Sequence, residues 1–255
     1  RDADRAAPLA ELGAELVVGD IGNPDALAAA FDGIERGFLV MPNVQQQLEL
    51  ETGFIDAAVK AGVRHLAYLS SIESVPDNTN PITQIHVGVE RHLQASGLDW
   101  TLIRPSFFMQ IFSGMAARIR DHDEIVLPAG NGTIATTDLR DVAAILVKVL
   151  TEPGHENQRY DITGPELLTL AECAERFSEV LGRPVRYVDQ PLDSFAERLR
   201  TVGMPEWRVD AVSKEFEGIA AGLIDHTTDT AEQLLGRPPH SLAQFVADHR
   251  ALFTP

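Results

Sequence analysis

In the stretch "PITQIHVGVERHL", residues 81–93, His86 and Glu90 stand four apart while Ile85, Val89 and Leu93 repeat at helical spacing. If those three apolar residues form the buried stripe, His86 and Glu90 share the neighbouring face of one helix. An imidazole and a carboxylate so placed could form a surface pair or hold two positions of a metal. Two ligands with no third nearby make a poor metal site, and no metal is expected. Histidine stands beside acids again in "GHENQ" (154–158) and "IDHTTD" (224–229), but both read as polar loops without a third ligand. Ser70 and Ser71 close the apolar run "HLAYLSS" (65–71), where hydroxyls could meet a ligand or simply form a turn. Phe107, Phe108, Met109 and Phe112 in "RPSFFMQIF" could floor an apolar pocket or fill a core. No G-x-S-x-G is present, which argues against a hydrolase elbow.

The scaffold that must position these groups is bounded by bulk properties. The 255 residues, 44% of them apolar, suit one large domain or a main domain with a smaller lobe. With 38 acidic residues against 21 Lys and Arg, the formal net charge is −17. That field repels nucleic acid and anionic membranes, so neither is an expected partner. An anionic cofactor would need a local exception, from oriented backbone N–H groups or a few arginines. The single cysteine, Cys173, rules out an internal disulfide framework and fits a cytoplasmic protein. No apolar run is long enough to span a bilayer, and neither a signal peptide nor an internal repeat is expected.

Short apolar runs alternate with helical patterns. "AELVVGD" (14–20), "RGFLVMP" (36–42), "HLAYLSS" (65–71) and "WTLIRP" (100–105) read as strands buried on both faces, as a parallel sheet requires. Between them, Asn23 and Pro24 open one helix as N-cap and first-turn residue, Gly33 closes it, and a second spans about 45–61 before Gly62. This alternation predicts right-handed β-α-β crossovers and an α/β, doubly wound, Rossmann-like parallel sheet. After Asp138 a regular helix carries Leu139, Val142, Ala143, Leu146, Val147 and Leu150 at helical spacing, with Arg140, Asp141 and Lys148 on other faces. "RYDITG" (159–164) reads as a further strand, and Thr169 with Glu172 as a capping box on a helix ended by Gly182. The expected division is a sheet domain over 1–165 and a smaller, mostly helical substrate lobe over 166–255. Residues 106–133 should contribute to that lobe, which should lie over the sheet's carboxyl edge, where open α/β sheets bind ligands.

The front end looks incomplete. In a sheet of spatial order 3-2-1-4-5-6, segments 14–20 and 36–42 would be strands three and four, with strands one and two between them. The absent unit, about 30 residues, is the size of a glycine-rich nucleotide-binding β-α-β, and no G-x-x-G-x-x-G follows any strand here. The expectation is that a first β-α-β is missing from this chain. The rival is a rearranged sheet in which 14–20 and 36–42 pair directly.

The ordered set "GAELVVGDIGNPDALAAAFDGIERGFLV", "AGVRHLAYLSSI", "GLDWTLIRPSFFMQ" and "TEPGHENQRYDITGPELLTLAECAERFSEVLGRPV" resembles the NmrA-like branch of the atypical short-chain dehydrogenase/reductases. Within it the sequence looks most like NADPH-dependent quinone oxidoreductases and triphenylmethane-dye reductases, and the final "TDTAEQLLGRPPHSLAQFVADHRALF" is also similar. The resemblance implies NADP(H) as cofactor. It places Arg1, with Arg5 nearby, beside the adenosine 2′-phosphate, where a guanidinium fork grips phosphate well. It places Asp20 and Ile21 at the adenine, Met41, Pro42 and Asn43 near pyrophosphate and ribose, and Ser70, Ser71 and Pro105 near the nicotinamide. Phe107, Phe108, Met109 and Phe112 would line the acceptor pocket, which Trp207 could shade.

Where ordinary short-chain dehydrogenases carry Tyr-x-x-x-Lys, this sequence has Ile82 and His86. The resemblance thus removes the family's phenolic proton donor and leaves His86 as the catalytic candidate, able to bond the nicotinamide ribose without a permanent charge. Alcohol–ketone chemistry suffers most from that loss. Hydride transfer to a quinone or cationic dye suffers less, because the acceptor delocalises the incoming electrons. The expected function is therefore NADPH-dependent reduction of a small-molecule, quinone-like or otherwise conjugated electron acceptor. The alternative is a non-catalytic NADP(H)-binding sensor of the NmrA type. A homodimer is an open expectation, and without a phosphate loop this 255-residue form is expected to bind NADP(H) poorly.

Overall fold

The computed structural model describes residues 3–254, with side chains from residue 6 onward. Arg1 lies outside the described residues, as does the side chain of Arg5. Helix α1 (Ala3–Glu11) leads into the irregular stretch 14–20 and then to α2 (Pro24–Ala30). Asn23 caps α2, its side chain accepting from the amides of Asp25 and Ala26. The chain then alternates: β1 (Arg36–Leu39), α3 (Gln47–Ala61), β2 (His65–Leu69), α4 (Pro81–Ala95) and β3 (Asp99–Pro105). Gly62 ends α3 in the left-handed region at φ 79°. Asn80 caps α4 at the Ile82 amide, with Pro81 in the first turn.

After β3 come the short α5 (Ile111–Gly114) and α6 (Ala116–His122), then β4 (Glu124–Leu127) and β5 (Thr133–Ile134). The long α7 (Leu139–Thr151) follows, capped by Asp138, and β6 (Gln158–Ile162) returns to the sheet. β7 (Leu168–Thr169) leads into α8 (Leu170–Leu181), whose capping box joins Thr169 and Glu172 and whose end is Gly182 at φ 74°. The rest is β8 (Arg186–Asp189), α9 (Leu192–Thr201), α10 (Glu206–Ala220), α11 (Thr230–Leu235), α12 (Leu242–Asp248) and α13 (Arg250–Phe253).

β1, β2, β3 and β6 form one parallel sheet in that order. Alternate residues feed opposite faces, as strand geometry demands. Leu66, Tyr68 and Leu102 pack with Ile55 of α3, Leu93 of α4 and Leu27 of α2. Ala67, Ile103 and Ile162 pack with Val142, Ile145 and Val149 of α7 and Ala231 of α11. The two-sided cover is the doubly wound, Rossmann-like arrangement. A third core unites Phe112, Ile119 and Ile125 with Phe177, Phe216, Phe245 and Phe253. Small ladders of β4 with β8 (parallel) and β5 with β7 (antiparallel) brace it.

Two expectations need correction. Residues 14–20 form no strand: the segment is irregular, and Val17 and Val18 are 51% and 57% exposed. It does not pair with β1, whose one strand partner among the described residues is β2. In α7 the inward face carries Asp141, Val142, Ile145 and Val149, while Leu139 and Val147 are exposed. Asp141 tolerates full burial because Arg237 Nη2, the His240 amide and His240 Nδ1 converge on its carboxylate at 2.7–2.8 Å. That knot ties the segment between α11 and α12 to the back of the sheet.

Candidate functional site

A cleft of about 540 Å³ lies outside the carboxyl ends of β1, β2 and β3. The size suits a small-molecule site. Its sheet side is made by Val40, Met41 and Asn43 after β1, Ser70 and Ser71 after β2, and Pro105 and Ser106 at the end of β3. α4 contributes Ile82 and His86, one turn apart, so the position that lacks a phenol does face the cleft. The opposite wall is α10, through Arg208, Val212, Glu215 and Phe216. α10 is held over the sheet in part by Asn80, whose Nδ2 donates to the Ala211 carbonyl at 2.9 Å.

Beneath the cleft lies a polar network that the apolar strands would not by themselves suggest. Arg104 of β3 forks onto Glu90 of α4, Nε donating to Oε1 at 2.7 Å and Nη2 to Oε2. Ser70 Oγ also donates to Glu90 Oε1, and Ser74 lies 3.0 Å from Ser70. The Ser70 proton is thus directed at Glu90, and Ser70 can meet a ligand only as an acceptor. Ser71 Oγ accepts from the Glu73 amide at 3.2 Å, leaving its own hydrogen for the cleft. Glu90 is therefore neither a metal ligand nor a surface partner of His86, but half of a buried ion pair.

His86 has a different partner. Its Nδ1 lies 2.7 Å from the hydroxyl of Tyr68 on β2, and that hydroxyl donates to Glu51 Oε2 of α3 at 2.9 Å. Gln47 Nε2 donates to the same oxygen at 3.2 Å. With the phenolic hydrogen on Glu51, Nδ1 is the donor to Tyr68, and Nε2 keeps a lone pair. Burial, reinforced by the Arg104 charge, pulls His86 down to about 4, so the ring is neutral near pH 7. Burial pushes Glu51 up to about 7 against the two hydrogen bonds that oppose it. Glu73 and Glu215 are both pushed up by burial, and Glu73 further by the charge of Glu215.

These shifts fix a sign. Above pH 6.5 the unfolded chain holds no carboxyl protons, and the lowered histidines, His65 and His86, have passed their unfolded value. The folded protein still holds protons on the three raised carboxyls, so its stability falls as pH rises through about 7. Scanning calorimetry across pH 6.5 to 8 should show a falling melting temperature, with a shallower fall in Glu51→Gln. A flat or rising profile in the wild type contradicts the assignment.

Of the residues singled out from sequence, Met41, Asn43, Ser70, Ser71, His86, Pro105, Phe107 and Phe108 come together around this cleft. Pro42 is exposed and turned away from it. Met109 and Phe112 are 1% and 0% exposed and belong to the third core, because the turn after β3 points them away from the sheet edge. Trp207 is half-buried and not on the cleft wall; the next residue, Arg208, takes that place. Asp20 and Ile21 also lie apart: Asp20 Oδ1 accepts from the Gly22 amide at 2.9 Å, and Ile21 lines a separate hollow between α2 and α3. His155 lies in the loop between α7 and β6 as expected, but it is buried, bonded through Nδ1 to the Tyr160 hydroxyl at 2.8 Å. Sequence reasoning missed Glu51 and Tyr68. A signal was present, since Gln47 and Glu51 continue the buried stripe of Ile55 and Ala58 on α3.

Comparison with known proteins agrees with this geometry. The chain is 37% identical over 253 residues to the NAD(P)H azoreductase of Xenophilus azovorans, covering 99% of this chain and 88% of that protein. The structure of the NADPH-dependent quinone oxidoreductase of Escherichia coli in complex with NADPH superposes with a TM-score of 0.88 at 28% identity, covering 97% of this chain and 88% of the other. That of the Citrobacter sp. triphenylmethane reductase with NADP(H) gives 0.86 at 26% identity, again covering 97% and 88%. The model of the NmrA-like family matches residues 1–239. A match that runs through the sheet, the cleft and most of the third core leaves one placement: the chain belongs to the NmrA-like family.

Proposed function

We propose that this protein is an NAD(P)H-dependent oxidoreductase that passes a hydride to a quinone-like or other conjugated small-molecule acceptor. The reading is carried by the cleft, which lies at the carboxyl edge of three parallel strands, the ligand edge of such sheets. Its residues suit the nicotinamide end of the cofactor. Met41 and Pro105 give an apolar wall, Ser71 a hydroxyl hydrogen, and His86 a ring nitrogen with no partner among the described residues. No described strand runs into a glycine-rich turn, so the described residues include no such cradle for the pyrophosphate. When bound, a reduced nicotinamide supplies hydride. The chain supplies position and the exclusion of water.

Ile82 on the cleft wall supports a conjugated acceptor over a simple ketone, since no phenol stands there to protonate an alkoxide. Phe107 and Phe108 from the turn after β3, with Phe216 from α10, offer a flat aromatic system faces and edges to pack on. The relatives named as reductases support turnover over a purely sensory role. The third core, which draws 109–134 together with 168–253, supports a substrate lobe distinct from the sheet domain. Among the described residues no helix is long and apolar enough to cross a membrane. The lone cysteine, buried on α8, supports the proposal of a cytoplasmic location.

The test is NADPH consumption by protein expressed from its complete reading frame, offered a panel of benzoquinones, naphthoquinones and azo dyes. Acceptor-dependent oxidation of the nicotinamide is expected. Saturable cofactor binding with no consumption across the panel would overturn the proposal.

A further inference from the structure

We propose that Glu51, Tyr68 and His86 form a proton relay whose last atom, His86 Nε2, delivers to the cleft the proton that a reduced acceptor requires. The proposal rests on the reductase reading above for what the proton is used for, but not for the existence of the relay. Three elements build it: α3 carries Glu51, β2 carries Tyr68, and α4 carries His86. The links are 2.9 Å from Tyr68 Oη to Glu51 Oε2 and 2.7 Å from Tyr68 Oη to His86 Nδ1. Glu51 and Tyr68 are 1% and 0% exposed, while His86 lines the cleft. Proton transfer between positioned groups needs that separation and order.

Two hydrogen placements fit the same heavy atoms. In the loaded one the Glu51 carboxyl donates to Tyr68 Oη, the phenol donates to His86 Nδ1, and the proton on His86 is at Nε2. In the spent one Glu51 is a carboxylate accepting from Tyr68, Nδ1–H donates to the phenol oxygen, and Nε2 carries a lone pair. A quinone that takes a hydride equivalent from reduced nicotinamide becomes a hydroquinone anion and needs one proton. The His86 Nε2–H bond breaks to supply it, the phenolic proton moves to Nδ1, and the carboxyl proton moves to the phenol oxygen. Glu51 is left as carboxylate, and no group becomes an imidazolium or a phenolate. Gln47 closes the inner end: it is 1% exposed, and its Nε2 donates to Glu51. Reloading therefore runs back through the cleft once product leaves.

Within the relay only Glu51 titrates near neutrality. It is raised to about 7, His86 is lowered to about 4, and Tyr68 is pushed well above its ordinary value, mainly by burial. The charges that face the relay are Glu90 of α4, acting on Tyr68, and Arg104 of β3, acting on His86, which form an ion pair, together with Glu73 after β2 and Arg208 and Glu215 of α10, which line the same cleft as His86. α2, also packed on α3, carries only the exposed Asp25. Loading is thus lost as pH rises through about 7.

The test compares two acceptors. A quinone needs hydride and a proton, whereas a cationic triarylmethane dye needs hydride alone and becomes neutral. Tyr68→Phe should cut quinone turnover roughly a hundredfold and leave dye turnover within about twofold, with Glu51→Gln giving the same pattern. Nitrogen-15 NMR of the ligand-free protein gives a readout independent of turnover. His86 should pass from the Nε2–H to the Nδ1–H tautomer as pH rises through about 7, and Tyr68→Phe should abolish the passage. Equal losses on both acceptors, no loss on the quinone, or a tautomer indifferent to pH would each overturn the relay. A wild type that reduces neither acceptor refutes the reductase reading instead, and the tautomer then decides the relay alone.

Discussion

Replacing Glu90 with alanine is expected to destabilise the protein by about 3–5 kcal/mol, the cost of breaking a buried ion pair from one side. The Arg104 and Glu90 side chains are 9% and 5% exposed. The carboxylate is the only acceptor that the guanidinium has among the described residues, taking both Nε and Nη2, and it also takes the Ser70 proton. Alanine leaves the Arg104 cation buried with no counter-charge, while the Ser70 hydroxyl can turn to Ser74. The double substitution Glu90→Leu with Arg104→Met removes both charges and keeps volume, so it should recover most of the loss. Urea unfolding of the two variants against wild type measures both effects. A single-variant loss under about 1 kcal/mol would mean that the pair is hydrated and behaves as a surface salt bridge. The expected activity of the double variant is lower than its stability suggests, because Arg104 also helps to keep His86 neutral.

The parts of the fold that were legible in the sequence are those whose signal is local. β1, β2 and β3 show as largely apolar runs because the sheet they share is covered on both faces. Asn23, Asp138 and Thr169 declare helix starts because capping needs a short polar side chain at one position. Segment 14–20 has the same composition as a strand and is not one. A ladder needs a neighbour, and none lies beside Val17 and Val18 among the described residues. Asp141 was misplaced because a buried carboxylate is excluded by pattern and allowed only by partners about 100 residues away, Arg237 and His240. In the site, the carboxyl edge was readable from topology, and most of the side chains after each strand from the family resemblance. The partner of His86 was not: Tyr68 sits 18 residues earlier on a different element, and Glu90, the obvious neighbour by spacing, is claimed by Arg104.

Gly164→Ala is the second large effect, and it couples stability to the acceptor wall. A Cβ at Gly164 would overlap the carbonyl oxygen of Thr136 and sit 3.6 Å from Met109 Cε. That carbonyl cannot easily give way, because the adjoining residue is bonded on several sides. The Thr137 amide donates to the Phe107 carbonyl at 2.8 Å, the Met109 amide to the Thr137 carbonyl at 2.9 Å, and Thr137 Oγ1 to the Ile162 carbonyl at 3.2 Å. Relief must therefore move the turn that carries Phe107 and Phe108, both of which line the cleft. Overpacking of this kind costs about 3 kcal/mol, and the acceptor KM should rise more than that for NADPH. Gly53→Ala is the contrasting substitution: mid-helix in α3, with nothing within 4 Å of a new Cβ, it should stabilise by about 0.5–1 kcal/mol. If Gly164→Ala proves as harmless as Gly53→Ala in urea unfolding, then the 135–137 strip is not the rigid support of the aromatic wall.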